Sequence, residues 1–281
     1  MSSKTSTNGS IIERSLNLLL GHIKASSVRL TYPPFQNDFP QFPNIDEQQL
    51  HVQSVARKVA NHFCLEATTF IVEIDQSLQS AAQVEVTSNK EIFVKYKPGD
   101  FLDTVELVPV IAHEVAHVFL DRSGLRFSDT FENEVLTDVT ISCLGFGHSY
   151  LSAQRRFTFK VDRSKSEERT STFGYITPSE IGFVLSVRQC ITGENMENTI
   201  TSDYGRESFE KGHQLFVKRL SRKPLVKPKL PSIFRSKFGT SNNTHLEFEC
   251  PICSQSMRVP ALGKKIKVTC PNCSTKLPCY S

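Results

Sequence analysis

Apolar positions recur at helical spacing from Ser10 to Lys24, where Ile11, Ile12, Leu16, Leu19, Leu20 and Ile23 share a face, and Ser10 with Glu13 reads as a capping box at the start. A second stripe, Leu50, Val52, Val55, Val59, Ala60 and Phe63, predicts an amphipathic helix over Asp46 to Cys64, with His51 and His62 as packing or surface residues. Between the two, Tyr32-Pro33-Pro34-Phe35 through Phe42-Pro43 cannot be helical and predicts an extended connector lying over the body. The pattern then changes period. Thr68 to Asp75, Gln83 to Thr87 and Glu91 to Lys97 are β-branched and aromatic, which predicts two or three antiparallel strands, with Ser88-Asn89-Lys90 as a tight hairpin loop.

The helical period returns in the most apolar part of the chain, Leu107 to Ala112 and Val118 to Leu120. Asp103 and Glu106 read as a capping box that would make Pro109 an early kink; otherwise the regular helix begins nearer Pro109. Gly124 stops this helix, and Phe131 to Leu144 predicts the next, ended by Gly145-Phe146-Gly147. His148 to Gly174 is charged and is expected to form an irregular rim or lid. Thr177-Pro178-Ser179-Glu180 combines an N-cap, a proline at the first helical position and a glutamate at the third, opening a helix to about Ile191. A last body helix is expected from about Tyr204 to Leu220.

Inside the apolar run sits His113-Glu114-Val115-Ala116-His117. On a helix the two imidazoles lie one turn apart on one face, a seat for Zn²⁺, which accepts neutral imidazole nitrogens and keeps an open position for water at hydrolytic sites. Glu114 lies about 100° round the helix and can face that water as general base. Burying these groups without a metal would leave polar groups unpaired at high cost. Downstream, Asn133-Glu134-Val135-Leu136-Thr137-Asp138 puts Glu134 and Asp138 on one face, so Glu134 can be the third ligand and Asp138 can accept the spare ring N–H of a histidine. Tyr175, Tyr150 and His148, which follow this segment, are candidate hydrogen-bond donors to a developing oxyanion.

His113 to His117 followed by Asn133 to Asp138 resembles the gluzincin branch of HExxH metallopeptidases, the group of thermolysin and the M1 aminopeptidases. The likeness covers about 26 residues, with sixteen between His117 and Glu134. It includes no exopeptidase signature of the Gly-x-Met-Glu-Asn type before the HExxH. Regulatory ImmA/IrrE-like peptidases are a neighbouring resemblance, which the second segment fits less well. The gluzincin likeness implies a zincin-like fold and hydrolysis of protein or peptide substrates, with an edge strand, Ile92 to Lys97 or Gln83 to Thr87, taking the substrate by β-addition.

Composition adds a second centre. Of eight cysteines, four form Cys250-Pro251-Ile252-Cys253 and Cys270-Pro271-Asn272-Cys273, two knuckles able to close a tetrahedral Cys₄ zinc site. A tail this short has too small a core to fold alone, so metal binding would supply its folding free energy, and the whole resembles a zinc ribbon with a hairpin of Met257 to Pro260 and Ile266 to Thr269. The other cysteines, Cys64, Cys143, Cys190 and Cys279, read as free thiols of a reducing, cytoplasmic protein.

The net charge of +4 hides an asymmetry: from Lys211 onward there are 14 Lys/Arg and 2 Asp/Glu, against 19 and 27 before it. The basic tail can attract an anionic surface, nucleic acid included, or a protein. No stretch reaches the ~20 apolar residues of a membrane span, and no secretory leader is evident. The expectation is therefore an α+β chain: a disordered segment 1–10, a zincin-like metallopeptidase domain 11–220 of helices with a small antiparallel or mixed sheet, a basic Pro-containing linker 221–245 and a small β Cys₄ zinc ribbon 246–281. It would hold one catalytic and one structural zinc. The rival reading is a nucleic-acid- or protein-binding regulator whose body cuts rarely or never.

Overall fold

A computed structural model describes residues 8–23, 28, 31–39, 48–65, 68–79, 82–86, 91–97, 104–162, 165–171, 174–222, 238–242, 245–249, 256–260, 265–271 and 276–280. The architecture is mixed α+β and mostly helical. Helices α1 (Asn8–His22) and α2 (Gln48–His62) precede strands β1 (Thr69–Ile74), β2 (Ala82–Val86) and β3 (Glu91–Tyr96). Helices α3 (Thr104–Arg122), α4 (Thr130–Ile141) and α5 (Gly147–Ala153) follow, then strands β4 (Arg155–Asp162) and β5 (Lys165–Ser171), and helices α6 (Pro178–Thr192) and α7 (Asp203–Arg222). Among the described residues no helix is long and apolar enough to cross a membrane.

The sheet order is β1-β3-β2, with β2 antiparallel and β1 parallel to β3. The sheet is thus mixed, one of the two forms expected: the connection from β1 does not return as a hairpin, so β3 occupies the centre and cannot be the edge that takes a substrate. Ile92, Val94 and Tyr96 alternate inward along β3 and are fully buried. The outer edge of β1 is covered by α2: Gln53 accepts the Val72 N–H at 2.8 Å and donates to Phe70 O at 2.5 Å, and Gln49 donates to Val72 O at 2.8 Å. Of the two edges, α2 thus satisfies β1, while β2 lies against α3.

Helix α1 begins at Asn8, so Ser10 lies inside it and does not cap it, and residues 8–10 are ordered. Helix α3 starts upstream of Pro109, which it carries inside; Asp103 lies outside the described residues, as do 1–7 and the 87–90 loop. The end of α3 is a Schellman turn. Gly124 has φ +65°, its N–H donates to Asp121 O, and Leu125 N–H donates to Leu120 O at 2.9 Å, with both leucines buried. Helix α4 ends in a π turn over Ser142–Phe146 and the chain continues directly into α5. The expected irregular segment 148–174 is therefore helix α5 plus an antiparallel hairpin, β4 with β5. Its charged residues obscured the alternation of Phe157, Phe159 and Val161 with Thr158 and Lys160.

The C-terminal strands also differ from expectation. Strand β6 (Phe238–Asn242) falls within the expected linker and pairs with β7 (His245–Glu249), which pairs with β8 (Ser256–Pro260). Strand β9 (Lys265–Thr269) pairs with β10 (Lys276–Tyr280) and not with β8. In sequence, Cys250 to Cys253 thus fall between paired β7 and β8, and Cys270 to Cys273 between paired β9 and β10. Cys270 is buried. Cys250, Cys253 and Cys273 lie outside the described residues, as does 223–237 of the linker.

Candidate metal centre

Two helices build the site, and the turn between them is fixed by side chains. Asp129 caps α4 by accepting the Glu132 N–H at 2.9 Å. Asn133 brackets the approach, accepting from Phe127 N at 2.7 Å and donating to Phe127 O at 3.0 Å. This sets α4 across α3 so that Glu134 faces His113 and His117.

His113 Nε2 and His117 Nε2 lie 3.2 Å apart, and Glu134 Oε2 is 3.1 Å from the first and 3.4 Å from the second. A tetrahedral ion with bonds of ~2.0–2.2 Å needs ligand atoms about 3.3 Å apart, so the three atoms already form one face of such a shell. The other ring nitrogens explain why. His113 Nδ1 donates to Asp138 Oδ1 at 2.9 Å, and His117 Nδ1 lies 3.2 Å from Thr137 Oγ1. With both Nδ1 atoms protonated, two Nε2 lone pairs face one another and a carboxylate, an arrangement only a cation relieves. The residues therefore fit a metal ion.

Electrostatics agree. Burial works against a charged His113, yet the carboxylates of Asp138 and Glu134 beside its ring outweigh it and raise its pKa to about 10, so the pocket favours positive charge. The two imidazoles beside it, His113 first, hold Glu134 down at about 2. Glu114 stands apart from the three converging atoms. Burial pushes its carboxyl up, the histidines and the Val84 N–H of β2 hold it down, and Glu134 pushes it up again; the net is upward, the direction useful for a base working near neutrality.

Asp138 is fully buried and heavily subscribed: its Oδ2 accepts Tyr175 N–H at 2.5 Å and Ile176 N–H at 3.1 Å, and the Tyr150 hydroxyl bonds it as well. Gly174 makes this possible, since at φ +81° a Cβ would stand 1.6 Å from the Tyr150 hydroxyl.

Of the three candidate oxyanion donors, the structure brings one to the mouth of the site. The Tyr175 ring stacks on His113 with centroids 6.1 Å apart and is partly exposed. Tyr150 is buried behind Asp138 and supports it. His148 packs instead with Phe35, Gly145 and Arg188. Sequence reasoning missed Thr137 and the Val84 and Ile176 amides. Thr137 could have been found as the residue one turn from Glu134 on the metal side; the amides carry no side-chain signal. Beside His117 a cavity of about 310 Å³ is lined by Val84, Val118, Leu120 and Leu125, with Asp121 and Arg126 also on its wall.

Among known proteins no family model matches this chain, and neither a curated protein nor a solved structure matches it.

Proposed function

We propose that the chain is a zinc-dependent peptidase of gluzincin type, hydrolysing amide bonds of proteins or peptides in the cytoplasm. The observation that carries this reading is the three-atom face formed by His113, His117 and Glu134, with both histidines tied back through Nδ1 and an ionisable Glu114 alongside. Bound there, zinc would supply Lewis acidity, lowering the pKa of a water and stabilising charge on the carbonyl oxygen. Glu114 would take a proton from the attacking water and pass it to the leaving nitrogen. Tyr175, whose ring lies on His113, would donate its hydroxyl to the oxyanion. Strand β2 presents main-chain groups beside Glu114, suited to an extended peptide.

Metal content and peptide hydrolysis, measured together, test this. Wild type should carry two zincs, and Glu114→Gln should keep both while losing at least about 10²-fold in rate. Glu134→Ala should lose the body metal. A single zinc that survives Glu134→Ala and disappears on replacing Cys250 would mean a metal-free body and would sink the proposal. The excess of 14 basic over 2 acidic residues from Lys211 onward favours, as a second reading, a regulator that binds nucleic acid or protein through its tail. In that case affinity falls steeply with salt and Glu114→Gln changes nothing.

A further inference from the structure

We propose that Thr137 is a positioning residue that sets the tautomer and orientation of His117. The inference rests on the metal-site reading above and concerns a residue outside the metal face itself. The side chain is fully buried on α4, one residue before Asp138, and its Oγ1 lies 3.2 Å from His117 Nδ1 and 2.9 Å from the carbonyl oxygen of Asn133. Both contacts have a fixed direction. The Asn133 carbonyl can only accept, so the Thr137 hydroxyl donates its single proton there and turns a lone pair to the ring. His117 Nδ1 must then carry its proton, which leaves Nε2 bare and aimed at His113 Nε2 and Glu134.

Asn133 uses both ends of its side chain on the backbone of Phe127. The two histidines are therefore held by adjacent residues of one helix, His113 by the anion Asp138 and His117 by the neutral Thr137. A second carboxylate at position 137 would crowd negative charge beside Glu134 and Asp138. A hydroxyl relaying to a helix carbonyl orients the ring without adding charge.

The test compares Thr137→Ala with Thr137→Ser in the full chain, since alanine is well tolerated in a helix and serine keeps the hydroxyl. Cobalt(II) titration separates the two sites, because a Cys₄ centre adds thiolate-to-metal bands that a His₂Glu centre lacks. Thr137→Ala should bind the body cobalt about 10–100-fold more weakly, the range found for groups that support a ligand, and Thr137→Ser should restore most of that affinity. Thermal unfolding of the metal-free proteins should show a cooperative transition in all three, with Thr137→Ala the least stable. ¹⁵N spectra of histidine in metal-free protein, in mildly alkaline buffer, should show the Nδ1–H tautomer for His117 in wild type and Thr137→Ser, lost in Thr137→Ala. Equal affinities and equal tautomers in all three overturn the assignment of Thr137 while leaving the peptidase reading intact. A wild type that binds no body metal but shows the serine-rescued tautomer supports Thr137 and removes the peptidase reading.

Discussion

At the scale of single residues, the site depends on which atoms face which, and the tightest packing is around Asp138. Its Oδ1 takes the His113 ring proton and its Oδ2 takes two backbone N–H groups, so both oxygens must be acceptors. Asp138→Asn puts an NH₂ against one set of donors or the other. Metal affinity should fall about 10–100-fold, and the variant should also unfold at lower denaturant, because the Tyr175 and Ile176 amides or His113 lose a partner. An affinity within twofold of wild type would show that His113 needs no carboxylate behind it. Gly174→Ala acts on the same carboxylate from the other side. A Cβ there would stand 2.6 Å from Asp138 Oδ2 as well as against Tyr150, at a positive φ that alone costs about 1–3 kcal/mol. Denaturant unfolding should show a loss of at least that size, accompanied by weaker metal binding. The histidines, Glu134 and Asp138 were legible in sequence because helical spacing places i and i+4 together wherever the helix packs. Which atom each one faces was not, since that depends on how α3 and α4 cross.

At the scale of elements, local chemistry was a reliable guide where it closes on itself. Thr177 and Glu180 form the reciprocal cap their spacing predicts, and α6 ends at Gly193 with φ +72°. The parallel pairing of β1 with β3 was not legible, because it depends on a connection that crosses the sheet and leaves no mark in either strand. The π turn after α4 was equally hidden. There Arg188 of α6, fully buried, donates to Cys143 O at 2.6 Å, to Tyr32 O at 2.8 Å and to Glu194 at 2.8 Å, joining the turn, the Pro-rich connector and the end of its own helix. No sequence period announces a buried arginine whose partners are mostly carbonyls. Replacing it leaves two carbonyls and a carboxylate without their donor, so Arg188→Leu should destabilise by about 3–5 kcal/mol in denaturant unfolding. A loss below about 1 kcal/mol would mean that water takes over these carbonyls and that the elements are held by apolar packing alone.

At the scale of the whole molecule, composition told little about how the pieces fit. The connector through Tyr32 to Phe35 was expected to lie over the body with its aromatics tucked in, and it does, closing over His62 and His148. Tyr32, Phe35, Phe63 and Phe146 surround the His62 ring, whose Nε2 donates to Leu144 O at 2.7 Å. Burial lowers both imidazoles, with Arg188 nearby adding to the effect, and His148 is brought from 6.5 to about 4. The sign follows. A histidine whose folded pKa lies below its unfolded value is neutral in the native state, so the unfolded chain takes up the proton first as the medium acidifies. Its neutral burial costs the fold nothing above pH 6.5, and stability is lost progressively as pH falls from there to about 4. A shift of this size corresponds to a loss on the order of 3 kcal/mol, most of it already present at the lower end of that window. Unfolding of wild type and His148→Gln should therefore be compared at neutral and at mildly acid pH, in chelator so that release of a bound ion does not contribute. The variant should lose clearly less stability between the two conditions. Equal losses would place the acid sensitivity elsewhere, with the carboxylates and His62 as the groups to examine, and would mean that His148 reaches solvent as the connector lifts from the body.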